Sequence, residues 1–229
     1  MVDFQKRDTR RDRGGGIGTD DEPGGSRDDD TDGDHDGTGE DDDHSDDESH
    51  DEHAHHHGPE VGDLGVAVLT VSSSRSLADD ASGDAIIAAC EDAGWTVVAR
   101  DLLPDDRDAI RGTVDSLARN EDVDVVVTTG GTGVSPDDVT VEAVVPLFST
   151  VLPGFGELFR RYSEAEIGTR VVATRATAGL VESVPVFCLP GSENAATLGV
   201  EEIILPEAGH LVGLARADAV DGTAAGDTE

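Results

Sequence analysis

Thr128-Thr129-Gly130-Gly131-Thr132-Gly133 is the stretch whose residue types speak most directly of chemistry. Consecutive glycines let backbone N–H groups converge on an anion without a Cβ in the way, and the Thr132 hydroxyl adds a donor. Thr129 and the amides of Gly130, Gly131, Thr132 and Gly133 thus form a candidate cradle for phosphate oxygens. A helix after the loop would turn its positive end towards the same anion. The run is not a P-loop, because no Gly-Lys-Ser/Thr follows, nor a Gly-x-Gly-x-x-Gly dinucleotide fingerprint. The plainer reading is a tight turn.

Two aspartates flank loops of the same kind. Asp138 stands five residues beyond Gly133 in Ser135-Pro136-Asp137-Asp138-Val139-Thr140, and Asp105 follows Leu102-Leu103-Pro104. Each has two readings: a cap for the helix that follows, or a carboxylate beside a phosphate cradle. The second makes sense when a divalent cation bridges carboxylate and phosphate, since Mg²⁺ typically takes one or two carboxylates plus phosphate oxygens. The candidate metal ligands are therefore Asp138 and Asp105. Ser72-Ser73-Ser74 and Pro190-Gly191-Ser192 are polar loops that either wall this site or are ordinary turns.

These residues need elements to hold them. Leu64–Val71, Trp95–Leu103, Val123–Thr129 and Val184–Leu189 read as strands, each ending at one of the loops just named. Helical spacing covers Asp84–Ala93, Asp106–Arg119, the segment near Thr140–Phe148 and the stretch after Pro153-Gly154 with Phe155, Leu158, Phe159 and Tyr162. Ala195–Leu205 reads as a helix, and Pro206 as the start of a last one reaching about Ala215; Val171–Ala178 is ambiguous. Strand and helix alternate with short loops. The expected fold class is therefore α/β, with a mostly parallel sheet covered on both faces, and ligands belong at the carboxyl ends of its strands.

Of 229 residues, 51 are Asp or Glu and 16 are Lys or Arg, a formal net charge of −35. Residues 1–60 contribute −16 and residues 61–229 contribute −19. Such a field repels nucleic acid and anionic membranes, so neither is expected as a partner. No apolar run is long enough to cross a bilayer and the polar start is not a secretory signal, which suggests a soluble cytoplasmic protein. Lys6 is the only lysine, and every base beyond residue 60 is arginine. Excess acid with almost no lysine suggests a high-salt cytoplasm, where the Debye length falls to about 3 Å and self-repulsion is screened.

Residues 1–60 carry seven of the eight histidines and hardly any large apolar side chain. They read as a disordered acidic tail, able at most to chelate metals weakly. A domain is expected over 61–216, with a flexible tail over 217–229. Cys90 and Cys188 lie in apolar stretches without metal-ligand spacing and read as buried hydrophobes.

Gly130–Ala143 (GGTGVSPDDVTVEA), Leu152–Arg160 (LPGFGELFR), Glu166-Ile167-Gly168, Leu189–Ser192 (LPGS) and Val68–Ile86 together resemble the molybdenum cofactor biosynthesis family of MogA/MoaB-type molybdopterin adenylyltransferases. The resemblance runs from about Leu64 to Leu214. It implies a three-layer α/β/α sandwich that assembles as a homotrimer or homohexamer. The reaction it implies is transfer of AMP from Mg-ATP to the phosphate of molybdopterin, releasing pyrophosphate. Asp105 and Asp138 match the family's two catalytic aspartates. Three features depart from the family pattern. Asp137 stands where a base is common, Val141 and Glu193 stand where proline is common, and the Ser72–Arg75 loop lacks a frequent aspartate. These changes open a second reading: a non-catalytic oligomeric protein that binds molybdopterin or its precursor.

Overall fold

A computed structural model describes residues 62–221 of the chain. The segment read as an acidic His/Asp-rich tail, and the last eight residues, lie outside the described part. Six strands form one sheet: β1 (Gly65–Val71), β2 (Thr96–Leu103), β3 (Val125–Thr129), β4 (Thr150–Val151), β5 (Thr177–Val181) and β6 (Val184–Leu189). Their order across the sheet is β2-β1-β3-β6-β5-β4. β1 pairs in parallel with β2 and β3, and β3 with β6, while β5 runs antiparallel to both β6 and β4.

Every residue of β1, β3 and β6 is buried, which suits runs of small and β-branched side chains covered on both faces. Alternation along β1 divides the core. Val66 and Val68 face α1 (Ala81–Asp92), α4 (Pro153–Ile167), α5 (Glu193–Gly199) and α6 (Leu205–Asp221). Ala67, Leu69 and Val71 face α2 (Arg107–Ala118) and α3 (Thr140–Val144). Helices therefore cover both faces, giving the three-layer α/β/α arrangement.

The parallel register matters most for function. Val71 is opposite Leu103, Thr70 opposite Thr129, and Thr129 opposite Leu189. Four strands thus end at one level, and the loops after Val71, Leu103, Thr129 and Leu189 emerge side by side. The chain passes from β1 to β2 on one side and returns to β3 on the other, so the strand order reverses at β1.

Two expectations about elements are corrected, and one ambiguous stretch is resolved. The helix expected near Thr140–Phe148 is one short α-helical turn, Thr140–Val144, followed by a 3₁₀ turn over Val145–Leu147 with Pro146 in it. Pro206 does not separate two helices. α5, a π-helical turn over Val200–Ile204 and α6 form one continuous helical stretch, which continues to Asp221. Proline lacks an N–H and its ring crowds the carbonyl four residues earlier; the wider turn, with Leu205 N–H bonded to the Val200 carbonyl, makes room for it. The ambiguous Val171–Ala178 stretch divides into a 3₁₀ segment, Gly168–Ala173, and the start of β5.

Candidate functional site

A depression of about 490 Å³ opens at the carboxyl ends of β1, β2, β3 and β6. Its walls include Ser72, Ser74, Asp105, Gly130–Gly133, Asp138 and Pro190–Ser192, so the structure brings nearly all the residues singled out in the sequence to one place. Ser73 and Thr129 do not line it. The Thr129 hydroxyl instead donates to the Pro190 carbonyl at 2.9 Å, tying the β3 loop to the β6 loop.

The glycines are required by geometry. Gly130 and Gly131 have φ of +100° and +66°. A Cβ on Gly130 would lie 2.3 Å from the Val71 carbonyl oxygen, and one on Gly131 would lie 2.3 Å from Thr140 Oγ1. That hydroxyl is buried and donates to the Gly130 carbonyl at 2.8 Å, while the Thr140 N–H donates to the Gly131 carbonyl. The Gly130 N–H is also committed, to the Leu189 carbonyl. The N–H groups of Gly131, Thr132, Gly133 and Val134 have no acceptor among the described residues. The available donors are therefore shifted one residue along from the expected Gly130–Gly133. Thr132 is 1% exposed, yet its hydroxyl has no partner among the described residues. A buried hydroxyl and four amides without acceptors among the described residues are donors that an anion could use.

Neither aspartate acts as a helix cap. Asp106, not Asp105, caps α2 by accepting from the Ala109 N–H at 2.8 Å. Asp105 Oδ2 accepts instead from the Ser73 N–H at 2.8 Å. Asp138 Oδ2 accepts from the Ser135 N–H at 2.8 Å, and no side chain caps α3. Each carboxylate is thus anchored through Oδ2 and keeps Oδ1 without a protein partner among the described residues. With α3 only five residues long, the helix-dipole contribution expected from the sequence falls away. Among the described residues no cluster of three or more His, Cys, Asp or Glu side chains could hold a metal ion by itself. Two anchored carboxylates fit a cation whose remaining shell is filled by phosphate oxygens and water.

Three residues that sequence reasoning passed over organise this site. Arg75 donates to Ser82 Oγ at 3.0 Å and to the Gly191 carbonyl at 2.9 Å, strapping the β1 loop to the β6 loop. Among the described residues it is the only cation lining the depression, against Asp105, Asp137 and Asp138. Asp80, fully buried, caps α1 through the Gly83 N–H and accepts from the Thr70 hydroxyl at 2.7 Å and from Arg100 at 3.3 Å. Burial acts to raise its pKa, but these donors prevail and hold it below the ordinary 3.8. Arg175 lies behind the glycine loop and pairs with Glu142, whose carboxyl it holds below the ordinary 4.5. A signal for Arg75 was present, since bases are scarce in residues 61–229 and it follows the Ser72–Ser74 run; Arg175, in the mixed stretch Val171–Ala178, had only that scarcity to mark it.

A second hollow of about 540 Å³ adjoins the depression, sharing Thr132, Gly133, Pro190 and Ser192 and extending between α4 and α5 past Phe159 and Arg170. A flat, partly apolar ligand group could lie there while its phosphate reaches the amides.

Residues 67–210 match the family model described as "Probable molybdopterin binding domain". The chain belongs to this family. It is 42% identical over 152 residues to molybdenum cofactor biosynthesis protein B of Bacillus subtilis (strain 168), covering 66% of this chain and 89% of that protein. The Escherichia coli (strain K12) protein of the same name is 41% identical over 142 residues, covering 62% and 84%. Among solved structures, molybdenum cofactor biosynthesis protein B superposes with a TM-score of 0.66 at 37% identity, over 68% of this chain and 97% of that one. The tungsten cofactor synthesizing protein MoaB from Pyrococcus furiosus gives 0.61 at 39% identity, over 67% and 98%. A role in molybdenum cofactor biosynthesis and a molybdopterin-binding domain follow from this membership. The matched span contains every residue lining the depression.

Proposed function

We propose that this protein transfers the AMP moiety of Mg-ATP to the terminal phosphate of molybdopterin. A phosphate oxygen of molybdopterin attacks the α-phosphorus of ATP; the bond from that phosphorus to the bridging oxygen breaks and pyrophosphate leaves. The observation that supports this reading is the run of amides from Gly131 to Val134 with no acceptor among the described residues, of which Gly131, Thr132 and Gly133 belong to residues lining a depression that also presents Asp105 and Asp138. In phosphoryl chemistry of this kind the protein contributes position and charge neutralisation rather than a covalent step.

The amides and the Thr132 hydroxyl would hold phosphate oxygens. Oδ1 of Asp138 and Oδ1 of Asp105 would hold Mg²⁺, which when bound supplies neutralisation of charge building on the leaving pyrophosphate. Arg75 holds the Gly191 carbonyl and so ties the loop after β1 to the loop after β6 at the wall of the same space. The reading of Mg²⁺ as cofactor and ATP as co-substrate rests on the family resemblance together with this donor set, and a homotrimer or homohexamer as the assembly rests on the resemblance alone.

Incubating the purified protein with molybdopterin and Mg-ATP at molar KCl, and following pyrophosphate release, tests the proposal directly. Asp138→Asn should abolish turnover while leaving pterin binding largely intact; unchanged turnover sinks the role given to that residue. A second reading is favoured by the lining of the depression, where three aspartates accompany a single arginine. In that reading the protein binds molybdopterin or its precursor without using ATP. Titration calorimetry separates the two, since pterin binding without nucleotide binding supports the carrier.

A further inference from the structure

Arg175 stands at the start of the segment leading into β5, far from the glycine loop in sequence, yet it contacts that loop at three carbonyls. Its own N–H donates to the Thr132 carbonyl at 3.0 Å, its Nε to the Gly133 carbonyl at 2.7 Å, and a terminal nitrogen to the Asp138 carbonyl at 2.9 Å. The remaining guanidinium edge pairs with the Glu142 carboxylate, whose main-chain carbonyl is in turn held by Arg107. The guanidinium is partly buried, with 32% of its side-chain surface exposed, and it does not line the depression. It lines instead a hollow of about 440 Å³ with Val134, Pro136 and Val139, which meets the depression at Ser135 and Asp138.

A trans peptide is planar, so the carbonyl of one residue and the N–H of the next point in opposite directions. Drawing the Thr132 and Gly133 carbonyls backwards onto Arg175 therefore turns the N–H groups of Gly133 and Val134 forwards, to the face opposite the guanidinium. Those two amides are among the four that lack an acceptor among the described residues. The same fork holds the main chain at Asp138, a residue that lines the depression as well as the hollow of Arg175. We infer that Arg175 is a positioning residue which orients the Val134 amide and the Asp138 carboxylate towards a bound polyphosphate without touching it.

The inference rests on reading the loop as a phosphate cradle, and it makes an asymmetric prediction. The Thr132 carbonyl is held by the Arg175 main chain, which any substitution keeps, whereas the Gly133 carbonyl is held by its side chain. Losing the guanidinium should therefore release the Val134 amide and leave the Gly133 amide in place.

The test uses the full chain, inorganic pyrophosphate with Mg²⁺ at molar KCl as the probe, calorimetry for affinity and amide NMR shifts for geometry. In the wild type, pyrophosphate should shift both the Gly133 and Val134 amides. Arg175→Ala should bind it about 10- to 100-fold more weakly, the cost of a misplaced group near the ångström scale. It should lose the Val134 shift and keep the Gly133 shift, and added guanidinium should restore part of the affinity. Arg175→Lys, which keeps the charge but not the planar fork, should behave like Arg175→Ala, and it takes over the test if the alanine variant does not fold. Wild-type affinity with both shifts retained in the folded variants overturns the inference. So does an equal loss of both shifts that follows the melting temperature and is not rescued. A wild type that binds pyrophosphate but releases none from molybdopterin and ATP defeats the adenylyl-transfer reading alone. A wild type that does not bind pyrophosphate defeats both.

Discussion

Ser73 and Asp105 hold each other through two hydrogen bonds: the Ser73 N–H donates to Asp105 Oδ2 at 2.8 Å, and the Asp105 N–H donates to Ser73 Oγ at 3.1 Å. The pair joins the loop after β1 to the loop after β2, where the parallel register sets Val71 opposite Leu103. It leaves Oδ1 of Asp105, a residue that lines the depression, without a partner among the described residues. Ser73→Ala removes the acceptor of the Asp105 N–H and keeps the other bond, so it should cost about 1 kcal/mol of stability. Turnover should fall about tenfold, against a far larger loss for Asp105→Ala. Comparing pyrophosphate release in the two variants checks this order; equal losses would show that the serine does more than steady the carboxylate.

Gly131→Ala should be more damaging than an ordinary loop substitution. Its φ of +66° strains any L side chain by about 1–3 kcal/mol, and the new methyl would press on Thr140 Oγ1. Gly154, where an added methyl would meet nothing within 4 Å and φ is not positive, is the control. Urea titration of both alanine variants should show a lower midpoint for Gly131→Ala only.

Acid stability should depend on Asp80. Its pKa is lowered in the folded protein, so the unfolded chain binds more protons in the interval between that lowered value and 3.8. The stabilisation it confers is complete above pH 3.8 and is lost as the pH falls through the folded value. Asp80→Asn gives up the charge-assisted bonds with Thr70, Gly83 and Arg100, and should cost about 1–3 kcal/mol at neutral pH. Melting temperatures of the two proteins should converge as the pH is lowered below 3.8. Parallel curves down to pH 2 would rule out this origin of the acid sensitivity.

Both cysteine thiols are pushed up to about 12, Cys188 by complete burial and Cys90 by burial with a contribution from Glu91. Thiolate is the reactive form, so neither should react with a thiol reagent while the protein is folded. Labelling should appear only with urea unfolding. Rapid native labelling of either residue would contradict the core arrangement around β6 and α1.

Melting temperature should rise steeply with KCl. Residues 61–229 carry −19, and screening relieves repulsion between exposed carboxylates more than it weakens the partly buried Arg175–Glu142 pair. A flat response between about 0.1 and 3 M KCl would remove the high-salt interpretation of the composition.

Strands β1, β3 and β6 were legible because their side chains are buried on both faces, and continuous β-branched runs have no other good use. β4 was not, since Thr150–Val151 is a two-residue, exposed edge with no periodicity to read. The helix break at Pro206 was misjudged because a π-helical turn, which leaves no mark in local sequence, accommodates the proline. The glycine loop and both aspartates were legible from residue type and from their place at strand ends. Their individual donors and acceptors were not.

By itself, the sequence determined the layered α/β class, the family and the loops that meet at the site, because periodicity, glycine runs and ordered motifs are local properties. Only the tertiary structure decided which atoms in those loops stay available. Gly130 gives its amide to Leu189, Asp105 gives one oxygen to Ser73, and Gly133 gives its carbonyl to Arg175. Each of those partners is more than 30 residues away in the chain. Whether a polar atom faces a ligand or its own protein is settled by pairing at that distance, which the parallel register of the sheet imposes and no local motif records.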